Sequence, residues 1–133
     1  MVEVGAAQLA ATNRSKEDLD QLDASIAEMR IASASGNVDM FVEADIAFHD
    51  VIMRATRNMF IPFMFEPFGN LLIHARRQTS AIPTIQRNAI AAHEKILAAL
   101  EIGDPEQSRA AMESHMSQTQ ADLRRFVLDT NAQ

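Results

Sequence analysis

The sequence predicts an all-α fold, an antiparallel bundle of about six helices joined by short connections. Hydrophobic residues make up 47% of the 133 residues, and only 4 Gly and 4 Pro interrupt them. Apolar side chains recur at the spacing of one helix face along most of the chain. This length is sufficient for one domain with a sizeable core.

An alanine-rich segment and a capping signal predict the first two helices. Residues 2–12 should form a helix whose Ala-rich face needs a partner. Ser15 is a favourable N-cap, with Asp18 at the position where a capping box prefers Glu or Gln. The helix that follows should extend to about residue 34, with an apolar stripe formed by Leu19, Leu22, Ile26 and Met29.

The central helix, residues 38–56, follows a break at Gly36 and Asn37 and carries the first candidate site. Asp45 and His49 are four residues apart, so their side chains leave the same helix face one turn apart. This places a carboxylate and an imidazole close to, or inside, an apolar wall. A buried hydrogen bond between the two is the simpler interpretation, and a ligand site is the alternative. The apolar residues of the wall are Phe41, Ala44, Ile46, Phe48, Ile52 and Met53.

A long helical segment is then predicted from about residue 60 to about residue 79. Pro67 lies inside it, so we expect a kink or a break near Phe65 or Glu66. A loop at residues 80–84 should follow.

Two helices at the end of the chain are predicted to form a hairpin. Residues 85–102 make the first, which Gly103 ends. Asp104 followed by Pro105 is a strong helix start, and the second helix should run from there to about residue 128.

His93 and His115 are predicted to lie level with each other across this hairpin. His93 precedes Gly103 by ten residues, and His115 follows Asp104 by eleven. At a rise of 1.5 Å per residue, both histidines lie roughly 15–16 Å from the turn.

These two histidines, with Asp45 and His49, could converge inside the bundle. One carboxylate and three imidazoles suit a divalent ion, with Zn expected first and Ni, Mn or Fe as further candidates. Spacing leaves the rotation of the helices open, so three unrelated histidines remain the alternative. The sequence contains no Cys, no HExxH, no paired Glu-x-x-His, no G-x-S-x-G and no phosphate-binding glycine loop.

Charge and hydropathy exclude other classes of function. A net charge of −6 argues against direct binding to the phosphate backbone of a nucleic acid. No apolar run approaches the roughly 18 residues that a membrane span needs. The absence of Cys fits a reducing compartment. We therefore expect a cytoplasmic protein without a membrane partner.

Four short segments occur in a specific order and separation: DIAFH at 45–49, AAHEKIL at 91–97, GDP at 103–105 and MESH at 112–115. Together they resemble the C-terminal ligand-binding domain of GntR transcriptional regulators of the FadR branch, the FCD domain. The resemblance covers the chain from about residue 2 to residue 128. It implies an antiparallel helical bundle.

The resemblance also implies a site and a class of effector. It matches the family's metal-binding positions one for one to Asp45, His49, His93 and His115. Members of the metal-containing subgroup sense small carboxylates such as sugar acids, hydroxy acids or dicarboxylates, at or next to the metal. Acyl-CoA-binding members lack the metal set, which disfavours a fatty acyl effector.

Family members carry a winged helix-turn-helix before this domain, and nothing in this sequence can play that part. We expect the family's first ligand-domain helix, whose Arg often holds the effector carboxylate, to be missing too, and Met1 to mark a truncation. DNA binding is therefore expected of a longer parent protein, which we expect to be a homodimer.

Other residues could contact the effector. Arg76 or Arg77 could supply a cation for its carboxylate. Asn58 matches an Asn that commonly follows the family helix with the Asp and His. His74 is expected to be exposed. Two other functions remain open: a small metal-dependent hydrolase, for which no separate general acid or base is evident, and a purely structural bundle, which leaves the histidines unexplained. We expect no enzymatic activity.

Overall fold

A computed structural model describes residues 2–65 and 69–128, and within these ranges the predicted all-α bundle is confirmed. Seven α-helices and a closing π-helical turn account for most of the described residues. They are α1 Val2–Asn13, α2 Lys16–Ser35, α3 Val38–Ala55, α4 Phe60–Phe65, α5 Gly69–Ser80, α6 Pro83–Ile102, α7 Pro105–Leu123 and the π-helix Arg124–Leu128.

The start of α2 has the predicted capping box. The Ser15 hydroxyl accepts the amide of Asp18 at 3.1 Å, and the Asp18 carboxylate accepts the amide of Ser15 at 3.0 Å. Gly36 ends α2 with φ +70°, a left-handed conformation that suits glycine. The side chain of Asn37 then caps α3 by accepting the amide of Met40. Short connections of this kind fold α3 back along α2.

Four helices, α1, α3, α6 and α7, surround the main core together with one face of α2. The alanine face of α1 is fully covered, because Ala6, Ala7, Ala10 and Ala11 are each at most 1% exposed. Its small side chains allow close approach of the neighbouring helices. Larger residues from the other helices fill the centre, among them Leu22, Ile26, Phe48, Ile52, Ile96, Leu100 and Met112.

The segment predicted as one kinked helix is described as two helices. α4 ends at Phe65 and α5 begins at Gly69. The kink or break was predicted near Phe65 or Glu66; α4 ends at Phe65, and Glu66 and Pro67 lie outside the described residues. α4 itself exposes apolar side chains, with Met59 and Phe60 preceding or opening it.

The predicted loop at residues 80–84 was too long. α5 continues to Ser80 and α6 already begins at Pro83, because proline is well suited to the first helical position. Gly103 ends α6 with φ +80°, and Asp104 caps α7 by accepting the amides of Glu106 and Gln107. The resulting hairpin of α6 and α7 is the one expected from the sequence.

No helix among the described residues is long and apolar enough to cross a membrane.

Candidate metal centre

Three helices bring Asp45, His49, His93 and His115 together in the interior of the bundle. α3 contributes Asp45 and His49, α6 contributes His93, and α7 contributes His115. All four are buried, with at most 5% of any residue exposed. The level placement of His93 and His115 across the hairpin is observed, since their ring centroids are 4.9 Å apart.

Asp45 and two imidazoles converge on a small volume. Asp45 Oδ1 lies 3.4 Å from His49 Nε2 and 3.3 Å from His93 Nε2. Two donors that are each bound to one tetrahedral ion at about 2.0–2.1 Å lie roughly 3.3 Å apart. The third histidine, His115, completes a group in which one ring nitrogen from each imidazole lies within 4.8 Å of the others. These three imidazoles could hold one metal ion, and the two contacts of Asp45 Oδ1 match the separation of donors on such an ion.

The polar atoms of this cluster are buried without hydrogen-bond partners. They are Asp45 Oδ1, both ring nitrogens of His49 and of His93, and Nε2 of His115. Carboxylate oxygens lie close to several of these nitrogens, but off the direction that an in-plane N–H bond requires. An unpaired buried donor or acceptor costs about 1–3 kcal/mol, so packing alone does not account for the arrangement. Coordination to a cation would satisfy these atoms together.

Arg76 faces this cluster and Arg77 does not. Arg76 Nη1 lies 2.8 Å from Asp45 Oδ2, and the Arg76 side chain is 19% exposed. Arg77 instead pairs with Asp39 at 3.1 Å and is 59% exposed. Asp45 thus offers one oxygen to the imidazoles and the other to a guanidinium.

Phe48 fixes the ring of His93. The phenyl and imidazole rings stack with centroids 4.0 Å apart and planes inclined by 11°. Both side chains are 0% exposed. This contact orients an imidazole through packing rather than through a hydrogen bond.

Burial and neighbouring charges set the protonation of the cluster. Burial would raise the pKa of Asp45, but Arg76 and the imidazoles hold it well below its usual value. Burial lowers the pKa of His93, and burial with charge on His49 lowers that of His115 to about 3. A carboxylate and two neutral imidazoles are therefore available as donors at neutral pH.

His49 behaves differently because a second carboxylate lies beside it. Glu3, in the first turn of α1, places Oε1 2.8 Å from His49 Nδ1. Burial would lower the pKa of His49, but Glu3 and Asp45 outweigh it and raise this pKa to about 9. The sequence analysis missed Glu3, since no spacing pattern links α1 to α3.

The other sequence candidates lie at the surface. Asn58 is exposed and its side chain accepts the amide of Phe60 at 3.1 Å. His74 is exposed, as expected. Among the described contacts, neither residue touches Asp45 or the three buried histidines. The ligand roles predicted for Asn58 and Arg77 stay predictions.

A shallow cleft between α6 and α7 borders the cluster beside His115. Its buried Asp122 accepts hydrogen bonds from Gln118 Nε2 at 2.9 Å and Asn88 Nδ2 at 3.2 Å. Ile85, Ala89 and Thr119 also line it. The amides of this cleft are thus paired with its carboxylate, and the Thr119 hydroxyl donates to the backbone carbonyl of His115 at 2.9 Å.

Comparison with known proteins gives one family. The FCD domain matches residues 1–118, a range that includes α1. The "HTH-type transcriptional regulator LutR" of Bacillus subtilis (strain 168) is 30% identical over 122 residues, covering 88% of this chain and 55% of that protein. The "Putative L-lactate dehydrogenase operon regulatory protein" of Escherichia coli (strain K12) is 26% identical over 102 residues, covering 74% of this chain and 40% of that protein.

The fold is also found in a solved structure. The E. coli protein McbR/YncC superposes with a TM-score of 0.78 at 22% identity, over 93% of this chain and 63% of that one. The chain thus spans about half the length of the curated relatives it matches. These relatives carry the names of regulators rather than enzymes, which argues against the metal-dependent hydrolase left open by the sequence.

Proposed function

Since this chain belongs to the FCD domain family, the ligand-binding domain of GntR transcriptional regulators, we propose that it senses a small organic acid at a divalent metal centre and relays binding to an upstream DNA-binding domain. The observation that carries the proposal is the convergence of Asp45 Oδ1 with the Nε2 atoms of His49 and His93, at 3.4 and 3.3 Å, without hydrogen bonds. This convergence supports membership of the metal-containing subgroup of the FadR branch.

Asp45, His49, His93 and His115 would hold the ion. Zn fits the donor set first, and Ni, Mn or Fe would accept the same donors. The bound ion would supply positive charge and a coordination position for an oxygen ligand.

The effector class follows from the charge around the centre. A carboxylate beside the ion would lie near Arg76, whose guanidinium already contacts Asp45 Oδ2. One relative is named as a putative regulatory protein of an L-lactate dehydrogenase operon, which agrees with a hydroxy acid as effector. Dicarboxylates carry the same carboxylate group and are further candidates.

The chain itself should not bind DNA. Its net charge is −6, and counterion release from DNA requires clustered cationic side chains. In the parent regulator, an N-terminal winged helix-turn-helix would contact the operator and two copies would form a dimer.

Thermal unfolding against a panel of sugar acids, hydroxy acids and dicarboxylates, with and without chelator, tests the proposal. An acid that binds only the folded state should stabilise it by about 2.7 kcal/mol at a hundredfold excess over its Kd. The increment should disappear after the metal is removed. Arg76→Ala should lose most of it, whereas the matched neighbour Arg77→Ala should keep it, because only Arg76 contacts Asp45. An acid that stabilises the metal-free chain equally well would contradict the proposed mechanism.

A further inference from the structure

We propose that Glu3 is a positioning residue for His49. Its carboxylate holds the Nδ1–H side of the imidazole so that Nε2 faces the metal, and this contact couples metal binding to the packing of α1 against the bundle. The inference rests on the proposed function, because it presupposes the metal centre. It assigns a role to a side chain that is not itself among the proposed ligands.

The ring of His49 spans two carboxylates. Its Nε2 lies 3.4 Å from Asp45 Oδ1, and its Nδ1 lies 2.8 Å from Glu3 Oε1. The Nε2 atom is on the side of His93, whose own Nε2 is 3.3 Å from the same Asp45 oxygen. An imidazole that coordinates a metal through one nitrogen carries hydrogen on the other, and the partner of that hydrogen fixes the tautomer and the ring orientation. Glu3 occupies the position of that partner.

The placement of Glu3 is unusual for its position in a helix. An acidic residue in the first turn commonly stays in solvent, where it interacts with the helix dipole. Glu17 occupies the first turn of α2 in this way and is exposed. The Glu3 side chain is instead only 18% exposed and lies against His49. Burial of a carboxylate is unfavourable unless a partner compensates for the lost hydration, and the imidazole is that partner.

The contact is close but not yet aligned. At 2.8 Å the two atoms are within hydrogen-bonding distance, although the Glu3 oxygen is off the Nδ1–H direction. Since Glu3 lies on the opposite side of the ring from Asp45, the geometry assigns it to support of His49 rather than to the ion.

The contact also matters for α1. The buried face of this helix consists of alanines, which bury less apolar area per residue than leucine or isoleucine would. A polar contact at the first turn therefore adds to the attachment of that end of α1. An ion that fixes His49 should fix its Glu3 partner too, and with it the start of the helix.

Titration of the metal-free 133-residue chain with Co²⁺ and Zn²⁺ tests the role of Glu3. Glu3→Ala should weaken metal binding about 10- to 100-fold, the range seen when partners of metal-bound histidines are removed. Glu3→Gln should recover most of that loss, because an amide oxygen can still accept the Nδ1–H bond. The matched control Glu17→Ala should bind as the native chain does. Unchanged affinity in Glu3→Ala, or equal weakening by Gln and Ala, would overturn the inference.

Two measurements on protein that is certain to fold complete the test. Long-range ¹H–¹⁵N NMR of the Zn-loaded native chain should show His49 protonated at Nδ1 and bound to metal through Nε2; coordination through Nδ1 would refute the inference. Amide hydrogen exchange in α1 should slow on metal loading in the native chain, and less so in Glu3→Gln. If the native chain binds no metal, the proposed function and this inference both fail; if it binds metal and the Glu3 variants match it, only this inference fails.

Discussion

Gln86 and His93 lie two turns apart on the same face of α6, and both are buried, at 4% and 0% exposed. Their surroundings differ. Gln86 Oε1 accepts the Ser33 hydroxyl at 2.8 Å, and Gln86 Nε2 donates to the Ser80 carbonyl at 2.6 Å. Neither ring nitrogen of His93 has a hydrogen-bond partner. Buried polarity alone therefore does not mark a ligand site in this bundle.

The difference shows what each residue stabilises. Gln86 links α2, the end of α5 and α6 through protein atoms, so its network is complete within the chain. His93 stacks on the Phe48 ring, and neither of its ring nitrogens has a hydrogen-bond partner among the described residues. Several unpaired polar atoms that converge, as around Asp45 and the three histidines, are therefore more informative than burial alone.

The largest expected effect is on metal content. His93→Ala and His115→Ala should each reduce the metal content from about one ion per chain to nearly none, because the site loses one of its four protein ligands. Gln86→Ala should keep full occupancy. Elemental analysis after metal loading and desalting measures this. Full occupancy in both histidine variants would place the ion elsewhere.

A smaller effect is expected on folding stability at Gln86. Gln86→Ala leaves the Ser33 hydroxyl and the Ser80 carbonyl without their partner, which should lower the free energy of unfolding by about 1–3 kcal/mol. Urea denaturation in the presence of chelator measures it without a contribution from metal. The control is Gln21→Ala, whose exposed side chain contacts only Glu17 and should change stability by no more than about 0.5 kcal/mol. Equal losses in the two variants would show that the buried hydrogen bonds of Gln86 contribute no more to the free energy of unfolding than the exposed one of Gln21.

A third effect is expected in the pH dependence of the folding stability of the metal-free chain. The pKa values of His93 and His115 in the folded chain lie below the ordinary value, so the unfolded chain binds more protons at these residues. The free energy of unfolding therefore decreases as pH falls below about 6.5. The pKa of His49 is raised to about 9, so protonated His49 stabilises the folded chain. This contribution to the free energy of unfolding is full below about pH 6.5 and is lost as pH rises through 9.

Stability should therefore be greatest near pH 6.5 and fall on both sides, by at most about 1.4 kcal/mol per pH unit for each histidine. Chemical denaturation in chelator across pH 5–9 measures the profile. His115→Gln should flatten only the acid side, since the Glu3–His49 contact remains. If the free energy of unfolding of this variant still falls below pH 6.5 as it does in the native chain, His115 is not the cause of that fall.

Local signals in the sequence predicted much of the fold. Ser15 and Asp18 specified the start of α2, and the glycine before Asp104 specified the hairpin of α6 and α7, because capping chemistry acts within a few residues. The same hairpin placed His93 and His115 at one level. The approach of both to the Asp45–His49 pair depended on helix rotation, which only packing determines.

Contacts between distant helices could not be predicted in this way. Adjacent arginines on a helix point about 100° apart, so the sequence offered no basis to choose Arg76 over Arg77 for the site. The contact of Glu3 with His49 joins two helices that share no motif. Residues 80–84 were predicted as a loop, since the preference of proline for a helix start was outweighed there by its preference for turns.

The complete enclosure of His93 has a kinetic consequence. A ring with no exposed surface, covered by Phe48 on one face, cannot be reached by an ion unless neighbouring helices separate. The residence time of a bound ion would then be governed by the frequency of local opening, on the scale of bundle motions, rather than by the strength of the individual coordination bonds. An ion held in this way would exchange slowly with the solvent.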